Sequence, residues 1–190
     1  MMHLLQMISL WLAFCVPFAP TETATTPEKK NVTEIYLVRH AEKDTTDRTN
    51  KDPELSGEGL KRAQDLKKLL KKKKPAVIFS SPYKRTQNTA RPLAEALQQE
   101  IKTYDPGNLK AFATQLLAEH KGKKILIVGH SNTLLETIEA LGIERPIAKI
   151  DDREYYYVFH IKIEEGKKAV VKTMKYGEQT AVQGRPQKMN

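Results

Sequence analysis

Two histidines, two arginines and a carboxylate fall just beyond short apolar runs. Thr33 to Val38 (TEIYLV) ends at Arg39-His40, and Lys123 to Val128 (KKILIV) ends at Gly129-His130-Ser131-Asn132. Ala76 to Phe79 runs into Ser80-Ser81-Pro82, with Arg85 shortly after, and Ile101 to Tyr104 leads to Asp105. Phosphoryl transfer needs these side-chain types. Arginine offers a planar fork of donors that matches phosphate oxygens and stays charged. A neutral imidazole can attack phosphorus, and a second imidazole can donate to a non-bridging oxygen. A carboxylic acid can protonate a departing alkoxide.

The intervening segments say how such residues would be brought together. Glu42 to Pro53 is polar and aperiodic, a loop. Ser56 caps a helix to about Lys72, with Leu60, Ala63, Leu66, Leu69 and Leu70 at helical spacing. A second helix is expected over Lys84 to Gln98. A third, over Leu109 to His120, would be capped by Asn108 after the Asp105-Pro106-Gly107-Asn108 turn. A fourth, over Thr133 to Leu141, would stop at Gly142. Ser131 reads as the cap of that last helix. Tyr155 to Ile163 and Ala169 to Lys175 read as a hairpin-forming pair of strands at one edge. Strands alternating with helices imply β-α-β units and a mainly parallel central sheet covered on both faces, an α/β/α sandwich. In such sheets ligands bind beyond the carboxyl ends of the strands, where Arg39, His40, Ser80, Ser81, Asp105 and His130 all fall.

Composition narrows the chemistry. The only cysteine, Cys15, lies in the apolar leader, so the expected mature chain has no thiol for a thiolate nucleophile, a disulfide or a Cys-ligated zinc. His40 and His130 are 90 positions apart, and there is no HExxH motif, carboxylate cluster or glycine-rich nucleotide loop, so no metal or cofactor is expected. The net charge is +9, which favours anionic partners. Much of the excess sits in Lys67, Lys68 and Lys71 to Lys74 at a helix end, where cations suit the dipole. No nucleic-acid motif accompanies them, so nucleic-acid binding is not expected.

Four segments, in this order, resemble the histidine phosphatase superfamily, founded by the cofactor-dependent phosphoglycerate mutases. They are LVRHAEK (Leu37 to Lys43), DPELSGEGLKRA (Asp52 to Ala63), SSPYKRTQNTA (Ser80 to Ala90) and VGHSNT (Val128 to Thr133). The resemblance implies that His40 is the phospho-accepting nucleophile and that Arg39, Arg85 and His130 complete the phosphate pocket. It also places Asp105 at the family's general-acid position. The family more often has Glu there, and Asp105 also suits a plain turn, so Glu42 stands as a substitute. Ser131-Asn132 departs from the glycines common after this histidine in the mutases. About twenty-five positions separate Asp105 from His130, too few for the long cap of many relatives. An open pocket, as in the short SixA-like members, is therefore expected.

The implied activity is metal-independent phosphomonoester hydrolysis of a small phosphorylated substrate through a phosphohistidine. The alternatives are mutase-type phosphoryl transfer or a non-catalytic phosphosugar-binding module. Residues 1–20 contain no Lys, Arg, Asp or Glu, and their apolar stretch, Leu4 to Ala19, suits a signal peptide or an N-terminal membrane anchor. A linker over 21–32, the catalytic domain over 33–176 and a tail over 177–190 complete the expected organisation. That organisation places the domain outside the cytoplasm.

Overall fold

The computed structural model describes residues 31–179. The expected leader, most of the linker and the tail from residue 180 lie outside the described residues. Among those described, no helix is long and apolar enough to cross a membrane.

The chain runs β1 (Val32–Arg39), α1 (Gly57–Lys71), β2 (Val77–Ser80), α2 (Lys84–Leu97), β3 (Ile101–Thr103), α3 (Leu109–Glu119), β4 (Lys124–Gly129), α4 (Ser131–Ala140), β5 (Tyr157–Glu164), β6 (Val170–Lys175). These form one six-stranded sheet in the order β3-β2-β4-β1-β5-β6. The four strands from β3 to β1 are parallel, whereas β5 runs antiparallel to β1 and β6 to β5. The expected mainly parallel sandwich is present, and the terminal hairpin supplies its antiparallel edge.

Side chains alternate across the sheet, as the two-residue period of a strand requires. Ile35 and Leu37 of β1, with Ile125 and Ile127 of β4, pack on Phe112, Leu116, Leu134 and Ile138 of α3 and α4. Tyr36, Val38, Leu126 and Val128 face the other way, onto Leu66 and Leu70 of α1 and Leu93 of α2. Burial on both faces explains why β1 and β4 read as continuous apolar runs rather than as alternating ones.

Local signals set the helix ends. The Ser56 hydroxyl accepts from the Gly59 amide at 3.2 Å, and Asn108 caps α3 by accepting from Ala111 at 3.4 Å. Ser131 does not cap α4. His130 holds the cap position, and the Thr133 hydroxyl accepts from the His130 amide at 3.2 Å. The helix starts earlier than the apolar periodicity suggests because Thr133, one turn in, already satisfies that amide.

Two glycines permit close approaches that matter for the site. A Cβ on Gly59 would lie 2.1 Å from the Glu42 carbonyl oxygen, so only glycine lets α1 press against the segment leaving β1. A Cβ on Gly129 would lie 2.8 Å from the Tyr104 hydroxyl. Between β3 and α3 there is only the turn around Asp105, with no inserted cap element.

Candidate active site

Because β1 and β4 are parallel neighbours with Arg39 opposite Gly129, the two histidines that follow them emerge side by side. The His40 amide donates to the Gly129 carbonyl at 2.9 Å, extending the ladder by one residue. The rings meet edge to face with centroids 5.3 Å apart.

His40 is 5% exposed. Its Nδ1 lies 2.7 Å from the Ala41 carbonyl oxygen. A carbonyl can only accept, so Nδ1 carries the proton and Nε2 is left with its lone pair. Burial pushes the imidazole down to about 3. The Ala41 hydrogen bond works against that shift, and the charges of Arg39, His130 and Arg85 add to it. The group is a neutral base aimed by its own backbone.

His130 is held through Nε2, 2.9 Å from the Ser81 hydroxyl. The Thr86 hydroxyl donates to backbone carbonyls, of Ser81 at 2.9 Å and Tyr83 at 2.7 Å, so it accepts from Ser81 at 3.0 Å. The Ser81 oxygen in turn accepts from His130 Nε2–H. Burial, followed by the charges of Arg85 and Arg39, pushes His130 down to about 4. Both imidazoles are thus neutral near pH 7.

The arginines flank this pair. Arg39 is buried at the end of β1, and its Nη1 donates to the carbonyls of Asp151, Asp152 and Glu154 at 3.0, 2.9 and 3.4 Å. Its guanidinium lies 4.1 Å from the Tyr155 ring centroid, and Nε is buried without a partner among the described residues. Tyr155 also faces His40, with centroids 5.9 Å apart. Arg85 in the first turn of α2 pairs with Asp52 at 3.6 Å and stacks over Tyr83 at 4.5 Å. Tyr83 meets His130 edge-on at 5.0 Å. The Thr89 hydroxyl of α2 accepts from the Ala41 amide at 2.9 Å, which ties that helix to the residue after His40.

Neither candidate acid is hydrogen-bonded to these four side chains among the described residues. Asp105 is exposed in its turn, its Oδ1 accepts from the Gly107 amide at 2.8 Å, and it borders a cavity shared with Phe79, Tyr104 and Phe112. No hydrogen bond joins it to His40, His130, Arg39 or Arg85 among the described residues. Glu42 is taken by Arg62, whose Nε donates to both carboxylate oxygens at 2.9 Å. Among the described residues no three His, Cys, Asp or Glu side chains converge as a metal site.

Sequence reasoning missed several members. Tyr155 and the carbonyls of residues 151–154 carry no signature, since any residue offers a carbonyl. Arg62 sits inside the helix pattern of α1 and left no separate mark. Ser81 was placed at the right edge, but its tie to His130 became visible only with the strand register.

The low imidazole values give a direct expectation. In the free protein the His40 and His130 resonances should not titrate near 6.5 but only towards about 3 and about 4. An unfolded chain takes up these protons near 6.5 while the folded one does not, so stability falls as pH drops from there towards about 4. NMR titration with thermal denaturation from pH 7 to 4 measures both. An imidazole at either position titrating near 6.5 would show a wetter site than the one described.

The comparisons agree with this geometry. A model of the histidine phosphatase superfamily (branch 1) matches residues 35–106. The mycobacterial glucosyl-3-phosphoglycerate phosphatase complexed with VO3 superposes with a TM-score of 0.62 at 13% identity, over 76% of this chain and 99% of that one. The protein histidine phosphatase SixA complexed with tungstate gives 0.58 at 15% identity, covering 75% and 96%. Entamoeba histolytica phosphoserine phosphatase complexed with 3-phosphoglyceric acid gives 0.56 at 16% identity, covering 78% and 98%. No curated sequence matches the chain. The matched segment runs from β1 through the Asp105 turn, and over it the chain is similar to the histidine phosphatase superfamily, with the second histidine delivered beside the first by β4.

Proposed function

We propose that the protein hydrolyses small phosphomonoesters without a metal, through a phosphohistidine on His40. The observation that carries this reading is the pair of adjacent neutral imidazoles, one with Nε2 fixed as a lone pair, set between two guanidinium groups. In the first step His40 Nε2 bonds to phosphorus as the ester P–O bond breaks and the departing oxygen takes a proton. In the second, water attacks phosphorus, the P–N bond breaks and inorganic phosphate leaves. Arg39 and Arg85 supply the positive charge that a metal brings elsewhere, and the His130 Nε2–H, donated to Ser81 in the free site, is the donor that a non-bridging oxygen takes over on binding. The structural relatives named glucosyl-3-phosphoglycerate phosphatase, phosphoserine phosphatase and protein histidine phosphatase support a phosphorylated substrate, and the complexes of two of them with VO3 and tungstate support an oxyanion-binding pocket.

Hydrolysis is favoured over mutase transfer because, among the described residues, no element is inserted between β3 and α3 to seal the substrate from water. Of the two acids, Asp105 suits the leaving oxygen better. It lies in the turn that follows β3, at the same carboxyl end of the parallel strands as the imidazoles, and only its Oδ1 is engaged, whereas Arg62 holds both oxygens of Glu42.

One experiment tests the reading. A phosphomonoester panel assayed with chelator should show undiminished turnover, with inhibition by vanadate. Asp105→Asn should spare aryl phosphates and slow alkyl phosphates by roughly a hundredfold or more, since an alkoxide needs an acid that a phenolate does not. Activity returning only with added divalent metal would reject the mechanism. Equal damage to both substrate classes would move the acid role to Glu42 or water.

Export is part of the same reading, supported by the charge-free apolar run Leu4 to Ala19. Fractionation should find the catalytic domain outside the cytoplasm. A full-length soluble cytoplasmic form would reject export while leaving the chemistry untouched.

A further inference from the structure

The sheet has two ends, and they differ in charge. The carboxyl end of the parallel strands holds the active site, where cations are interspersed with Asp44, Asp47, Asp52, Glu54, Asp151 and Asp152. At the other end, helices finish and parallel strands begin. The chain enters there through Asn31, packed against Gly122, whose amide donates to the Thr33 hydroxyl at 2.8 Å. The turn after α1 reaches the same rim, because the Ala76 amide donates to the Lys124 carbonyl at 2.7 Å. The β5–β6 turn reaches it as well, because Lys121 pairs with Glu165 at 2.6 Å.

Lysines gather along this rim. Lys71 to Lys74, Lys121, Lys123, Lys167 and Lys168 are all exposed. Lys121 and Lys167 are paired with Glu165 and Glu164. Lys71 to Lys74 and Lys168 have no carboxylate partner among the described residues. A solvated helix terminus accounts for one or two cations after α1. It does not account for four in a row joined by cations from two further turns.

The sequence adds an independent fact about the same place. The apolar run Leu4 to Ala19 is followed by Pro20 to Lys30, a segment that spans at most roughly 40 Å fully extended. A membrane holding the apolar run therefore lies within reach of the rim that Asn31 enters. Basic clusters next to an apolar segment are what an anionic headgroup layer attracts. No aromatic side chain is interleaved with Lys71 to Lys74 as a nucleic-acid surface would favour.

We propose that this lysine rim, opposite the active site, docks the protein on an anionic lipid bilayer and turns the phosphate pocket away from it. The proposal rests on charge and chain entry alone and stands whether or not the catalytic reading holds.

The test uses the full-length chain with vesicles of phosphatidylcholine alone or mixed with phosphatidylglycerol. The apolar segment contributes to both vesicle types, so it cancels in their ratio. Each basic side chain near an anionic leaflet is worth about a fivefold change in binding. The ratio should therefore favour anionic vesicles by at least about tenfold and collapse in high salt. A rim variant combining Lys71→Gln, Lys72→Gln, Lys73→Gln and Lys168→Gln should lose that preference. A control removing equal charge elsewhere, through Arg48→Gln, Lys51→Gln, Lys110→Gln and Lys172→Gln, should keep it. Unchanged thermal denaturation would show that both variants fold. Equal binding to both vesicle types, or equal loss in the control, would overturn the proposal. Tighter and equally rim-dependent binding to duplex DNA would overturn it in favour of a nucleic-acid surface.

Discussion

Quenched into alkali in mid-turnover, the protein should carry a phosphoryl group on the peptide Leu37 to Lys43, attached to His40. The Ala41 carbonyl fixes the proton on Nδ1, so the new bond forms at Nε2, the only basic atom of a ring that burial keeps neutral. A P–N bond persists in alkali and breaks in acid, which separates it from an acyl phosphate or a thiophosphate. His40→Ala should remove the label and lower turnover by roughly 10⁴- to 10⁶-fold, the scale of losing a covalent nucleophile. His130→Ala should slow formation of the label without moving it. If water attacks directly and His40 only binds phosphate, no species is trapped and His40→Asn keeps a measurable rate. Label on His130 or on a serine would retain the fold and refute the nucleophile.

Arg62→Ala should cost more stability than any exposed substitution. The Arg62 side chain is 5% exposed, and its partner Glu42 is 18% exposed, with their closest approach at 2.7 Å. The same guanidinium donates to the Tyr176 carbonyl at 3.2 Å and the Glu178 carbonyl at 2.7 Å, and it lies 5.7 Å from the Tyr176 ring centroid. One side chain thus joins the segment after β1, helix α1 and the chain beyond β6. Its removal leaves a largely buried carboxylate unpaired, which costs about 3–5 kcal/mol. A melting temperature lower by about 10 °C or more is expected. Arg62→Lys should recover little, because an ammonium cannot span acceptors that a planar fork reaches together. Glu42→Gln should cost less than Arg62→Ala, since an amide still accepts from the guanidinium. A loss under about 1 kcal/mol for Arg62→Ala would mean that water replaces the network.

The strands that hold the imidazoles were legible in the sequence for a simple reason. β1 and β4 are buried on both faces, so Ile35 to Val38 and Ile125 to Val128 stand out as unbroken apolar runs, and the catalytic-type residues begin where each run ends. Helix starts at Ser56 and Asn108 were legible because their hydroxyl and amide groups satisfy backbone donors locally. Long-range backbone contacts left no such trace. Residues 151–154 hold Arg39 through carbonyl oxygens, which any sequence supplies, and Tyr155 is one of three consecutive tyrosines with nothing to single it out. The direction of β5 was equally hidden. The segment after α4 returns to the active-site end before the strand starts, and its composition does not encode that return. Ser131 misled because it has the chemistry of a cap, while Thr133 already served the same amide from inside the helix.

The position of β4 has a consequence for when the protein can first act. β4 lies between β1 and β2, both of which precede it in the chain, so nothing bridges these two strands until it arrives. A nascent chain that has emerged only through α3 holds His40, Arg39, Arg85 and Ser81 but lacks the strand that sets them at their working separation. It lacks His130 as well. Closing that gap requires a late segment to insert between two earlier ones, a long-range event of the kind that slows folding. Phosphatase activity is then an all-or-none signal of a finished sheet: no partial translation product, and no proteolytic fragment ending before Gly129, can turn over substrate.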